Sequence, residues 1–204
     1  MLLAARVEVC ADVCFSASLP AAPSVLSDRG GTSRRMLVVE IVAFGRRFDR
    51  SSFSCGKPGL DDWLKRQAGQ QERANNTRTF LAVEGLKVIG YYATTTYRLG
   101  LDEAAAMYGV GRRAYPIPAL LLARLAVDTG SQGCGVGSQL LLHALRRIAA
   151  ASRHVGFEVV VVHAIDKDAV TFYAQRGFTR FEDHDLHLFM PVKNLLATLE
   201  AHHG

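Results

Sequence analysis

The chain has 204 residues, 49% hydrophobic and 21% charged, with mean hydropathy +0.10 and formal net charge +5. That length supports one substantial core without demanding a second domain, and the excess of cations favours an anionic partner. No apolar run approaches the roughly 20 residues of a membrane span, so no membrane partner is expected. The four cysteines, Cys10, Cys14, Cys55 and Cys134, match neither a disulfide framework nor zinc spacing. A reducing cytoplasmic setting and the absence of a metal are the expectation.

Residues 1–35 carry small residues, Pro20, Pro23, Gly30 and Gly31, and no sustained period. Glu8 and Asp12 interrupt the apolar stretch that a secretory signal requires. They read as a flexible or non-native extension ahead of a single domain, residues 36–204. Leu37 to Ala43 reads as the first strand. Leu60 to Arg73 places Leu60, Trp63, Leu64, Gln67 and Ala68 on one side and Lys65, Arg66 and Arg73 among the polar positions, as an amphipathic helix does. Thr79 to Val83 and Lys87 to Tyr97 read as strands joined at Glu84-Gly85. Leu101 to Arg113 is a helix or loop closed by Pro116 and Pro118. Leu120 to Val127 reads as a buried strand and Gln139 to Ala151 as a helix with Leu141, Leu142, Leu145, Ile148 and Ala149 on its apolar side. Val159 to His163 is a β-branched strand, Phe178 to Pro191 a hairpin, and Leu195 to Ala201 a short closing helix. These elements predict a mixed α/β (α+β) fold, with a central sheet covered by helices on both faces.

Between the buried strand and its helix lies Gln132-Gly133-Cys134-Gly135-Val136-Gly137. Glycines there bare the backbone N–H groups at the positive end of the helix dipole, a site suited to phosphate. No Lys followed by Ser or Thr comes after the last Gly, which excludes a nucleoside-triphosphate loop, and the pattern is not the dinucleotide G-x-G-x-x-G. Cys134 has no base beside it in sequence and reads as a small filler. Downstream, Asp166 is a good N-cap for a short helix carrying Ala169, Phe172 and Tyr173, which Gly177 is placed to end before Phe178. Q-x-x-G-x-G followed by D-x-x-A-x-x-F-Y-x-x-x-G-F resembles the paired signatures of the GCN5-related N-acetyltransferases. The resemblance implies that family's fold, with a mixed, mostly antiparallel central sheet. It also implies acetyl-coenzyme A as acetyl donor, held by the strand backbone at Leu125, Ala126 and Val127, by Gln132, Gly133, Gly135, Gly137 and Ser138, and near Asp166. Tyr173 would point at the thioester sulfur and protonate the departing thiolate.

Basic residues recur along the remaining motifs: Lys65, Arg66, Arg78, Arg112, Arg113 and Arg124. Arg124 interrupts an apolar strand, so its head must reach a carboxylate such as Asp128 or Glu40, a cleft or an anionic ligand. Lys65 and Arg66 taken singly read as a solvated helix face. Leu60-Asp61-Asp62-Trp63-Leu64-Lys65, Arg78-Thr79-Phe80, Gly90-Tyr91-Tyr92, Arg112-Arg113, Pro116-Ile117-Pro118, Leu122 to Asp128 and Val162-His163-Ala164 are similar, in order, to the acetyltransferase toxins of type II toxin–antitoxin systems. That likeness implies acetylation of the α-amine of aminoacyl-tRNA, with the six basic residues on the RNA. It further implies neutralisation by a ribbon-helix-helix antitoxin, a complex able to sit on operator DNA, and room for a homodimer. An α-amine titrates near neutrality, so it needs no strong base, and His163 in its apolar strand reads as a core residue. An N-terminal or small-amine acetyltransferase of the same fold is the alternative, and a non-catalytic binding module would need neither Tyr173 nor the loop.

Overall fold

The computed structural model describes residues 38–100 and 115–201. The extension, Met36, Leu37 and the segment from Leu101 to Arg113 lie outside the described residues. Seven strands form one sheet: β1 (Glu40–Ala43), β2 (Arg78–Glu84), β3 (Lys87–Leu99), β4 (Ile117–Val127), β5 (Val159–His163), β6 (Thr179–Phe181) and β7 (His184–Pro191). Their order is β1-β2-β3-β4-β5-β7-β6, and β4–β5 is the only parallel pair. The expected mixed, mostly antiparallel sheet is what forms.

Side chains alternate across a strand, so neighbouring tyrosines on β3 feed different layers. Tyr91 lies on the side of α1 (Pro58–Asp62), a π-helical turn (Trp63–Gln67) and α2 (Ala68–Arg73). It stacks on Trp63 at 5.7 Å between ring centroids and donates its hydroxyl to Leu60 O at 2.9 Å. Tyr92 belongs to the other layer, with α3 (Val136–Ala151). There Leu140, Leu141, Ala144, Leu145 and Ile148 are buried, the repeat a helix needs to lay one stripe on a sheet. Two more helices follow among the described residues, α4 (Lys167–Ala174) and α5 (Val192–Ala201).

The single helix read from Leu60 to Arg73 is in fact broken. Ala68 N–H reaches back five residues to Trp63 O, inserting a π turn. The wider turn keeps Leu60, Trp63, Leu64 and Ala68 all buried while Lys65, Arg66 and Gln67 stay exposed.

The most consequential irregularity is on β4. Arg124 pairs with Ala93 but Leu122 pairs with Thr94, so Ala123 is an extra residue and β4 bulges there. Bulges bend the strand that carries them. The ladder to β5 runs only from Ala119↔Val159 to Leu121↔Val161, ending just before that bulge. Beyond it β4 stays with β3 while β5 stays with β7, and the two strands part.

Close packing above this split depends on Gly90. A Cβ there would meet Leu140 Cδ1 at 2.9 Å, Ala126 O at 3.2 Å and Val136 Cγ1 at 3.3 Å. Gly90→Val should therefore cost about 2 kcal/mol by overpacking. In urea unfolding the midpoint should fall at unchanged slope, and an unshifted midpoint would refute the packing argument.

Candidate active site

The split between β4 and β5 is edged by backbone. Asp128 N–H donates to Ile89 O at 2.9 Å, so by strand alternation the amides of Ala126 and Arg124 also turn to β3. Those of Leu125 and Val127 point the other way, into the opening. Ala126, expected beside them, instead gives its backbone to β3 and buries its methyl in the Trp63–Tyr91 layer.

The glycine loop follows at once. Asp128 caps a 3-10 turn (Thr129–Ser131), accepting from Gly130 N at 3.1 Å and from Ser54 N at 3.0 Å. Gln132 spends its side-chain amide nitrogen inside the fold, donating to Val127 O at 3.0 Å and Cys55 O at 3.2 Å. That nitrogen therefore secures the loop's shape. Gly133 and Gly135 turn through φ of +71° and +81°, a region that penalises any side chain. Gly135 is the N-cap of α3 and offers no side-chain acceptor to the first-turn N–H groups. They form an anion cradle at the positive end of the helix.

The second signature closes the site from the other side. Asp166 caps α4 as its position predicts, accepting from Ala169 N at 2.9 Å. Its other oxygen meets Lys57 Nζ at 3.3 Å, which ties α4 to the segment leading into α1. Gly177, at φ +86°, ends the helix turn with Phe178 N–H on Tyr173 O at 3.2 Å, a Schellman closure. Phe172 lies beneath the loop, 3.8 Å from where a Cβ on Gly137 would stand. Arg176 lies over the Phe172 ring at 3.7 Å and donates to Phe172 O and Ser138 Oγ, both at 2.7 Å. The sequence reading missed Arg176, which sits between the two motifs and joins them.

Tyr173 is fully buried against Phe172 and Phe178, and its hydroxyl has no hydrogen-bond partner among the described residues. Burial pushes its pKa well above the ordinary tyrosine range, against a smaller opposing pull from Arg176. A hydroxyl kept protonated and unpaired inside a core is a poor structural element and has a hydrogen bond to give a bound molecule. A diphosphate cradle, two outward amides and this hydroxyl fit a thioester on a phosphorylated carrier.

The basic residues do not share one cleft. Arg124 lies over Trp63, with its Cζ 4.3 Å from the ring centroid, on the α1 side. Its suggested partner Asp128 gives its carboxylate to the Ser54 and Gly130 amides. Arg78 lies on the opposite side, in a groove with Phe80, Tyr92 and Arg147, and is held by Glu72 at 3.7 Å, Asn75 and Thr77 O. Lys65 and Arg66 face solvent, the latter 3.6 Å from Asp62. Arg112 and Arg113 lie outside the described residues. His163, expected in the core, is half-buried and stacks on His187 at 3.9 Å. Among the described residues there is no cluster able to hold a metal and no helix long and apolar enough to cross a membrane.

A family model for the acetyltransferase (GNAT) domain matches residues 75–180, more than half of the chain. The chain belongs to the GNAT acetyltransferases. It is accordingly an N-acetyltransferase whose donor is acetyl-CoA. Within the family it is 35% identical over 153 residues to a tRNA-acetylating toxin of Mycobacterium tuberculosis, covering 74% of this chain and 90% of the relative. The AtaT toxin complexed with acetyl-methionyl-tRNAfMet superposes with TM-score 0.70 at 25% identity, over 79% of this chain and 99% of that one. A Tyr-to-Phe mutant of AtaT, bound to acetyl-CoA and the C-terminus of the antitoxin AtaR, gives TM-score 0.68 at 27% identity over 79% and 98%.

Tyr173→Phe removes an unpaired buried hydroxyl and keeps the ring. Folding stability should hold or rise by up to about 1 kcal/mol. A loss larger than that in urea unfolding would mean the hydroxyl has a structural partner.

Proposed function

We propose that residues 36–204 form one catalytic unit that acetylates the α-amine of aminoacyl-tRNA and so blocks translation, held in check by a cognate ribbon-helix-helix antitoxin. The observation that carries the reading is the unpaired, buried Tyr173 hydroxyl on α4, together with a similar toxin that acetylates tRNA. Acetyl-CoA supplies the activated acetyl group. The first turn of α3 with Gly133, Gly135, Gly137 and Ser138 holds the diphosphate, and Arg176 fixes Ser138 and adds positive charge. The amides of Leu125 and Val127 hold the carrier arm and polarise the acetyl carbonyl.

An aminoacyl ester's amine is largely neutral near pH 7–8, so placing it in line supplies much of the acceleration. As its nitrogen bonds the carbonyl carbon and the C–S bond breaks, Tyr173 Oη passes its proton to sulfur. The amine's surplus proton leaves to solvent, and the Tyr173 phenolate recovers a proton from solvent once the products depart, so the protein ends in its starting state. Arg124, braced on Trp63, with Lys65, Arg66, Arg112 and Arg113, provides phosphate contacts on the acceptor side. Arg78, committed to the α2–β2 turn, serves the fold there.

With charged tRNA and labelled acetyl-CoA the protein should transfer label to the aminoacyl end. Tyr173→Phe should lower turnover about 100-fold or more at unchanged acetyl-CoA affinity. Arg124→Glu should weaken tRNA use and flatten its salt dependence, since each lost phosphate contact removes about 0.9 from the logarithmic slope. Equal activity on free amino acids with no salt dependence would replace this reading by small-amine acetylation.

A further inference from the structure

Past Leu121↔Val161 the parallel strands β4 and β5 share no ladder pair, and each follows its other neighbour. Main-chain hydrogen bonds between them therefore do not set how far apart their carboxy ends stand. Side chains do. On the β4 side, the segment Ser54–Lys57 is fastened to the glycine loop. Ser54 N–H donates to Asp128 Oδ2 at 3.0 Å, Thr129 N–H to Ser54 O at 2.8 Å, and Gln132 Nε2 to Cys55 O at 3.2 Å. Cys55 N–H donates to Asp61 Oδ1 at 2.8 Å, which fixes the same segment to α1. Lys57 follows Gly56, whose φ of +83° turns the chain. Its Nζ meets Asp166 Oδ2 at 3.3 Å, 109 positions away in sequence. Asp166 stands just past the end of β5 and caps α4 with its other oxygen. The pair thus bridges the open end of the split. A second bridge holds the far end of the same helix, where Arg176 reaches Ser138 Oγ at 2.7 Å. Asp166 and Arg176 are roughly 15 Å apart at a helical rise, so two ties fix the direction of α4 as well as its distance.

We propose that the Lys57–Asp166 pair is a positioning brace for acetyl-CoA: it holds the carboxy ends of β4 and β5 at one separation and so pre-sets the opening that takes the coenzyme's arm. Neither residue has to touch the coenzyme for this. A preset opening spares the ordering cost that binding would otherwise bear. Both side chains are 37% exposed, so the pair adds little to folding stability and acts on the affinity of the site it spans. The inference rests on the reading that the arm lies between β4 and β5, and on nothing about the acceptor.

Calorimetry would measure acetyl-CoA affinity for the full chain carrying Lys57→Met, Asp166→Asn, both together, and Lys57→Arg. Met keeps the apolar stem without the charge, while Asn loses the charge and still caps α4. Each single variant should bind acetyl-CoA about two- to fivefold more weakly, the range an exposed ion pair carries. The double variant should lose no more than the worse single one, because one tie cannot be broken twice. Lys57→Arg should restore wild-type affinity, and salt at about 1 M should erase the difference between wild type and Lys57→Met. Melting temperatures should fall by no more than about 4 °C. Additive losses would overturn the brace in favour of two separate contacts to the coenzyme. Unchanged affinity would overturn it as well, and stopped-flow association and release that quicken together would then make the pair a gate. A larger fall in melting temperature would make it a support of the whole fold instead. Val127→Pro deletes an amide that faces the opening and should weaken acetyl-CoA about fivefold. Normal affinity in that folded variant would sink the placement of the arm itself, whatever the brace variants show.

Discussion

The parting of β4 from β5 is the constraint on which the rest of this structure depends. Unpaired strand amides inside a protein are costly, so a sheet opens internally only where something enforces it. Here the enforcement is local: the extra residue Ala123 bends β4 immediately after its last contact with β5. The amides of Leu125 and Val127 thereby face away from β3 and into the opening. The Asp128 carboxylate and the Gln132 side chain then fix the strand's end to the loop around Cys55, so the opening is held in shape from outside. Tyr173 is buried on α4, whose start is capped by Asp166 and whose end is turned by Gly177. Every element near the split is rigidly terminated, which is how a buried hydroxyl without a partner is kept in place.

The coenzyme side was legible in the sequence because it is built from short, contiguous rules. Glycines with positive φ, an N-cap Asp three residues before Ala169, and Gly177 after a short helix each act on their own neighbours. Such rules survive being read one segment at a time. The acceptor side was not legible, because its geometry depends on register. Arg78 and Arg124 look alike as cations entering strands, yet one faces α3 and the other Trp63. Register shifts at Ala82/Val83 and at Ala93/Thr94 reset which face a residue meets, and neither leaves a composition signal. The π turn at Trp63–Gln67 was hidden for a similar reason. An ordinary amphipathic pattern and one with an inserted residue differ by a few tens of degrees, within the scatter of a short helix. Arg176 was overlooked among the unspecified positions of its motif, although it reaches both Ser138 and Phe172.

The sheet also divides the charge. The glycine loop's free amides lie at the start of α3, while the cation braced on Trp63 lies across the sheet on the α1 side. Two polyanionic substrates can approach such a protein without sharing a surface, and only their reacting ends meet, through the opening between β4 and β5. That arrangement limits repulsion between the phosphates of donor and acceptor, which would be strongest if both lay in one groove.

Proton transfer sets the last requirement. A tyrosine whose pKa is raised by burial looks too weak an acid for a thiolate leaving group, whose ordinary value lies near 8.5. The objection holds only if the thiolate is solvated. A sulfur that departs beside Tyr173 does so in the same dry surroundings, and desolvation penalises its anion as it penalises the phenolate. Both pKa values rise together, so the match between donor and acceptor survives while burial favours the protonated hydroxyl. In the proposed transfer step the burial of Tyr173 is therefore no obstacle, and a polar neighbour placed within reach of Oη would hinder that step by giving the proton another destination.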